Sequence, residues 1–144
     1  MKRTAQRALG AATALWRHAW AGPNTALALI VTALLAGAGA RVRVRAGAIE
    51  VSGRPVGWAL RGISPAMPVA ALTLGHVIFA PSRQLLLRWG DHERVHVQQY
   101  ERWGCFFLPA YALASAWAAL RGGDAYRDNR FERAAYARDG ARPA

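Results

Sequence analysis

Hydrophobic and polar positions change period along the chain, and each change marks a different kind of element. Met1 to Ala21 sets Lys2, Arg3, Arg7 and Arg17 among alanines and tryptophans, the pattern of a basic amphipathic helix lying at a surface. Gly22-Pro23-Asn24 interrupts that pattern. No charge occurs from Thr25 to Ala40, a length near the lower limit for crossing a bilayer. Three readings fit this stretch: a membrane anchor between Trp20 and the arginines from Arg41, a cleaved signal peptide ending at the small residues Ala38-Gly39-Ala40, or a buried core helix.

From Arg41 the period shortens to two. Arg41-Val42-Arg43-Val44-Arg45 places its arginines on one face of a strand and its valines on the other. A turn at Ala46-Gly47, the segment Ile49-Glu50-Val51 and a second turn over Ser52-Gly53-Arg54-Pro55 predict a hairpin, and Val56 to Leu60 adds a further strand. Val69 to Ala80, rich in branched and aromatic residues between Pro68 and Pro81, reads as one buried or half-buried strand.

The helical period then returns from Ser82 to Trp103. Leu85, Leu86, Val95, Gln99 and Trp103 fall at helical spacing, while Arg83, Arg88, Arg94, Glu101 and Arg102 are read as facing solvent. A second helix runs from Cys105 to Leu120, Gly122-Gly123 turns the chain, and a third helix starts near Asn129. The expected class is α+β: a small antiparallel sheet packed on the helix of residues 82–103 and the helices after it, preceded by an apolar helical segment. Residues 1–40 form a membrane-associating segment, and residues 41–144 one domain with strands over 41–80 and helices over 82–138.

Length and composition narrow the chemistry. A chain of 144 residues suits one compact domain, and the single cysteine, Cys105, excludes both an intrachain disulfide and a thiolate zinc cage. The net charge of +11 invites a nucleic-acid reading, but the arginines are scattered and the aromatics do not alternate with them as base-stacking platforms would. No nucleic-acid partner is expected. The stripe Arg41 to Arg45 reads as facing solvent or lipid headgroups.

The candidate chemistry lies in His92-Glu93-Arg94-Val95-His96. Residues four apart share a helix face, so both imidazoles address one point and Glu93 stands beside it. With no thiolates to help, a third ligand must be a carboxylate or another histidine. Glu101 lies too far round and along the same helix. A helix of about 24 Å over residues 105–120 that folds back returns the chain toward His92, which lets Glu132 reach the same metal, with Asp124 or Asp128 available to orient a histidine ring. His76 is a secondary candidate, since most single histidines in apolar strands are structural, and His18 is weaker still.

These residues resemble a known family. HERVH, followed by Asn129-Arg130-Phe131-Glu132-Arg133-Ala134-Ala135, is similar to the gluzincin branch of zincin metallopeptidases, and especially to small bacterial HExxH proteins whose third ligand lies in an Asn-Pro-x-Glu-x-x-Ala segment. The similarity covers about Thr73 to Ala137, and Arg130 stands where the family has proline. By that resemblance His92, His96 and Glu132 would bind Zn2+ and Glu93 would be the general base of a peptidase acting on a peptide or protein. His76, Tyr100 and Tyr126 are the candidates for stabilising the oxyanion, and the sequence does not choose among them. The apolar segment adds membrane lipid as a partner and the bacterial inner membrane as the location. Competing readings are a small membrane protein with incidental histidines, a catalytically silent zinc module and a basic adaptor. Cys105 to Leu120 is expected to be a core or interfacial helix begun or kinked by Pro109, because a crossing there would part His96 from Glu132.

Overall fold

The computed structural model describes residues 19–65 and 68–139, so most of the expected basic helix over Met1 to Ala21 lies outside the described residues, as does His18. Ala19 and Trp20 are helical, a turn at Ala21 interrupts the helix as expected, and Gly22-Pro23-Asn24 then opens the next one. Helix α1, Gly22–Gly37, carries Pro23 in its first turn, where a missing N–H leaves no helical hydrogen bond unmade. It buries Ala28 and Thr32 against the rest of the protein and exposes Leu27, Leu29, Ile30 and Leu34. That packing gives α1 a part in the core, where Ala28 meets Val51, Val56 and Val77.

Strands β1, Arg41–Arg45, and β2, Ala48–Ser52, pair antiparallel around Ala46 (φ 48°) and Gly47 (φ 79°). Positive φ at both central residues is what a tight two-residue hairpin of primed type demands. Val56 to Leu60 is not a strand: helix α2, Arg54–Ile63, begins with Pro55 in its first turn and buries Val56, Gly57 and Leu60, a helical rather than an alternating spacing. Val69 to Ala80 is not one strand either. β3, Leu72–Leu74, and β4, Val77–Ala80, form a hairpin turned at Gly75, whose φ of 59° suits glycine and whose missing Cβ makes room for the backbone and hydroxyl of Thr25.

The sheet order is β1-β2-β4-β3, with β2 and β4 parallel and the other pairs antiparallel, so the class is α+β as expected but the sheet is mixed rather than antiparallel throughout. The parallel pair follows from α2, which carries the chain between β2 and the second hairpin. β4 is buried on both faces: Val77 and Phe79 pack with Ala28, Val51, Val56 and Leu60, whereas Ile78 and Ala80 pack with Ala48, Leu86 and Val97. The latter two belong to helix α3, Arg83–Trp103, which Ser82 caps by accepting from the Leu85 N–H at 3.3 Å.

Arg94 does not face solvent. It reaches from α3 to the buried Glu50 of β2 at 2.5 Å and to Asp91 at 2.8 Å, tying the motif helix to the sheet. Gly104 (φ 58°) and a short 3-10 turn, Gly104–Phe106, separate α3 from helix α4, Phe107–Leu120. Pro109 sits in the first turn of α4, consistent with a helix start there. The helical run Arg83–Leu120 is long and apolar enough to cross a membrane by composition, yet α4 folds back so that Tyr111 reaches helix α5, Arg130–Asp139. Leu113, Trp117 and Leu120 remain exposed on its outer side.

Candidate metal centre

His92 and His96 project from the same side of α3 into the interior, where they are 1% and 7% exposed. Their Nε2 atoms stand 3.2 Å apart. Glu132, 3% exposed in the first turn of α5, completes the group, with Oε2 3.2 Å from His92 Nε2 and Oε1 3.3 Å from His96 Nε2. One ligand atom from each residue lies within 4.8 Å of the others, a buried group able to hold a metal ion.

Each residue of this group is placed by an identifiable neighbour. Asn129 is fully buried at the start of α5, where its Oδ1 accepts from the Phe131 N–H at 2.9 Å as an N-cap. Its amide nitrogen donates to the Tyr111 carbonyl at 3.2 Å and to Ser115 Oγ at 2.8 Å, locking α5 to α4. The helix that carries Glu132 thereby has a fixed origin. A cap of this kind also explains why Arg130 can occupy the first helical position without proline.

Gln99 settles the tautomer of His96. The Phe131 carbonyl can only accept, so the Gln99 amide nitrogen, 3.0 Å away, must face it. Gln99 Oε1 then faces His96 Nδ1 at 2.8 Å, and that nitrogen carries the proton. With Nδ1 protonated, Nε2 is the nitrogen turned to His92 and Glu132: in the neutral ring it offers the lone pair a ligand requires, and in the imidazolium it donates to Glu132. His92 is held differently: the Trp89 ring stands edge-on at 5.9 Å, the Tyr136 ring packs at 4.5 Å, and His92 Nδ1 has no hydrogen-bond partner among the described residues.

Asp124 and Asp128 therefore do not orient a histidine. Asp124 Oδ1 accepts from the N–H groups of Tyr126 and Arg127 at 2.8 and 2.7 Å, and Asp128 Oδ2 accepts from the Asp124 N–H at 2.8 Å. Both carboxylates shape the exposed turn before α5, where backbone N–H groups need acceptors close by in the chain. His76 also stands apart from the metal group. Its Nδ1 is 2.9 Å from Thr25 Oγ1 and its Nε2 is 3.6 Å from Glu101, so it joins α1 to the β3–β4 turn and α3.

Glu93 is 7% exposed and hydrogen-bonds through Oε2 to the Thr73 hydroxyl of β3 at 2.6 Å. Burial pushes its carboxyl above the ordinary range, and the nearby imidazoles and Thr73 offset this only in part. Burial presses on Glu132 in the same direction, but hydrogen bonds from His92, His96 and the Tyr111 hydroxyl outweigh it and hold this carboxyl well below its usual range. For His96 burial lowers the pKa, yet the hydrogen bond and charge of Glu132 prevail and raise it. Two carboxylates on one cavity are thus driven apart in basicity, Glu93 upward and Glu132 downward.

His92, Glu93, His96 and Glu132 line a cavity of about 430 Å³ whose other walls include Leu72, Leu108, Tyr111 and Tyr126. The Tyr100 hydroxyl is turned to the Thr73 carbonyl at 3.4 Å, whereas the Tyr126 hydroxyl meets that of Tyr136 at 3.5 Å. Sequence reasoning did not assign roles to Thr73, Gln99 or Tyr111. Gln99 had a signal, since it lies one turn from His96 on the same helix, but Tyr111 and Thr73 arrive from other elements. Comparison of the chain with protein-family models, curated proteins and solved structures yields no match, so the geometry carries the functional reading.

Proposed function

We propose that the protein is a membrane-associated, zinc-dependent hydrolase of the zincin type that cleaves peptide bonds, with His92, His96 and Glu132 as ligands and Glu93 as general base. The observation that carries this reading is the donor spacing. Donors bound tetrahedrally to zinc at about 2.0–2.2 Å stand roughly 3.3–3.6 Å from one another; here the imidazole nitrogens are 3.2 Å apart, and each faces a different Glu132 oxygen, His92 at 3.2 Å and His96 at 3.3 Å. The proton placed on His96 Nδ1 by Gln99 suits the same role.

Zinc held there would supply a Lewis acid and a bound water of lowered pKa. Glu93, raised in basicity by burial and adjacent in sequence to the first ligand, accepts a proton at the cavity wall and delivers it to the leaving amine. Thr73 positions the Glu93 carboxylate through its 2.6 Å hydrogen bond. Of the three expected candidates, Tyr100 is engaged by a carbonyl and His76 lies outside the cavity lining, so Tyr126, whose hydroxyl meets that of Tyr136 on the cavity wall, is the one assigned to donate to a developing oxyanion. Its phenol is pushed up by burial and so keeps its proton.

The membrane part rests on two helices. Leu27, Leu29, Ile30 and Leu34 of α1, and Leu113, Trp117 and Leu120 of α4, present apolar side chains outward with no charge among them. Packing on the sheet and on α3 makes both helices interfacial rather than free anchors.

Zinc content of the purified protein, followed by hydrolysis of a peptide library by wild type and Glu93→Gln, tests the proposal. Stoichiometric zinc in both with cleavage only by wild type supports it. Absence of zinc overturns it, and zinc without cleavage reduces the centre to a structural site.

A further inference from the structure

A second cavity, of about 730 Å³, lies along the seam of α3 and α5 and shares no lining residue with the metal cavity. Arg102, Arg130 and Arg138 converge on it, together with Trp20, Trp103 and Phe131. We propose that this cavity binds the phosphate of an anionic phospholipid headgroup, a site that fixes how the protein sits on a membrane and rests on the membrane part of the reading above.

Charge is the first argument. Among the described residues no carboxylate pairs with Arg102 or Arg130, and Glu101, the acidic residue of the cavity wall, has its carboxylate 3.6 Å from His76 Nε2. Arg138 is engaged by the neutral Gln98 side chain. The three guanidinium groups are exposed around one cavity that holds a single carboxylate, an excess of positive charge that favours an anion there. Arg130 adds to this, because it begins α5, where the positive end of the helix dipole already disfavours a cation.

Orientation is the second. The Arg130 guanidinium lies 5.4 Å from the Trp103 ring centroid and 4.8 Å from that of Phe131. Contact with aromatic rings fixes the group while leaving N–H donors for a bidentate oxyanion.

The third argument selects lipid over free phosphate. Trp20, on the cavity wall, packs on Phe106 with ring centroids 5.9 Å apart, and its indole closes against Gly104, where a Cβ would collide with it. Asn24 of α1 also donates to the Gly104 carbonyl at 3.2 Å. The two apolar helices α1 and α4 thus begin side by side at the rim of the arginine cavity, and Phe106 there is 58% exposed. A tryptophan between a basic cavity and outward apolar faces is the arrangement of a membrane interface. Free phosphate would use the arginines and leave the apolar faces without a role.

Co-sedimentation of the full-length, zinc-supplemented protein with vesicles of phosphatidylcholine alone, or with added phosphatidylglycerol, tests the site. Three proteins are compared: wild type, the pair Arg102→Gln/Arg130→Gln, and the equal-charge control Arg61→Gln/Arg83→Gln, exposed on α2 and α3. Phosphatidylglycerol should strengthen wild-type binding, and the cavity pair should lose roughly tenfold more of that gain than the control, since loss of a bidentate site exceeds loss of diffuse surface attraction. Equal losses in the two pairs overturn the site in favour of general electrostatics. Binding that ignores phosphatidylglycerol overturns it while the membrane reading stands, and no binding to either vesicle overturns both. Soluble glycerol phosphate that displaces the protein at concentrations matching the lipid phosphate assigns the cavity to a free phosphate ester instead. Circular dichroism of the variants checks that the exposed substitutions leave the fold intact. The assay reads binding alone, so failure of the hydrolase reading does not affect it.

Discussion

Tyr111 donates its hydroxyl to Glu132 Oε1 at 2.7 Å, so the third ligand of the metal group is steadied from a helix other than its own. Burial, reinforced by the Glu132 charge, pushes the phenol well above its ordinary pKa, and it remains a donor at any working pH. Tyr111→Phe keeps the ring and removes that donor. Zinc affinity should fall by about tenfold, in the range typical of groups that orient a ligand, as read by competition with a chromophoric chelator. An unchanged affinity would show that α5 alone fixes Glu132.

Gln99 and Asp128 offer a paired test of what orients the ligands. Gln99→Ala removes the acceptor of His96 Nδ1 and the bridge to the Phe131 carbonyl, and should weaken zinc binding by roughly 10–100-fold. Asp128→Asn touches only the turn before α5 and should leave the affinity near wild type. The reverse order of effects would return the orienting role to the aspartate.

Binding and chemistry separate at the two glutamates. Glu132→Ala deletes a ligand oxygen and should cost more zinc affinity than any orienting substitution, beyond about 100-fold. Glu93→Gln keeps shape and the hydrogen bond to Thr73 but cannot accept a proton, so zinc stays stoichiometric while peptide cleavage is lost. Metal content and turnover measured on the same preparations distinguish the two.

The dependence of stability on pH should differ with and without metal. The His96 imidazole is raised above its ordinary value, near about 6.5, so its contribution to the metal-free fold is complete below that value and is lost as pH rises through the folded one. Glu93, raised by burial, acts in the same direction. Glu132 is depressed, and its contribution disappears only as pH falls into the strongly acid range. The chelated protein should therefore melt at lower temperature as pH rises from mildly acid to mildly alkaline. Zinc requires deprotonated imidazoles, so the increment it adds to the melting temperature should grow over the same range. A metal-free melting temperature that climbs with pH contradicts this account.

Arg94 and Glu50 make a further stability test. Arg94→Met strands the Glu50 carboxylate in the interior and should cost about 3 kcal/mol, while the double variant with Glu50→Gln recovers most of it. Urea unfolding of the single and double variants reads the difference. Additive losses would mean that the two residues act independently.

The parts of this structure that were legible in the sequence are those governed by helical period and short-range capping. Ser82 beginning α3, His92 and His96 four apart on one face, and a later helix bringing Glu132 are of this kind. Long-range contacts decided the rest. Gly75 breaks an apolar run into two strands because Thr25, from α1, presses on the turn, and no window around Gly75 contains that neighbour. Arg94 looked like a solvent-facing residue because its partner Glu50 is 44 positions away. Val56 to Leu60 was too short for an alternating pattern to exclude a helix, although the spacing of Val56 and Leu60 already fits one turn.

His92 and Glu132 are 40 residues apart in the chain and 3.2 Å apart in space. A metal shared between them closes a covalent-like loop containing the end of α3, all of α4 and the start of α5. The chain between the ligands is stapled at both ends, and the unfolded ensemble loses the freedom to separate them. α4, much of whose surface is exposed, stands to gain most from such a staple. Metal supply would then govern whether this outer helix stays in place or detaches, and with it how much apolar surface the protein shows to its surroundings.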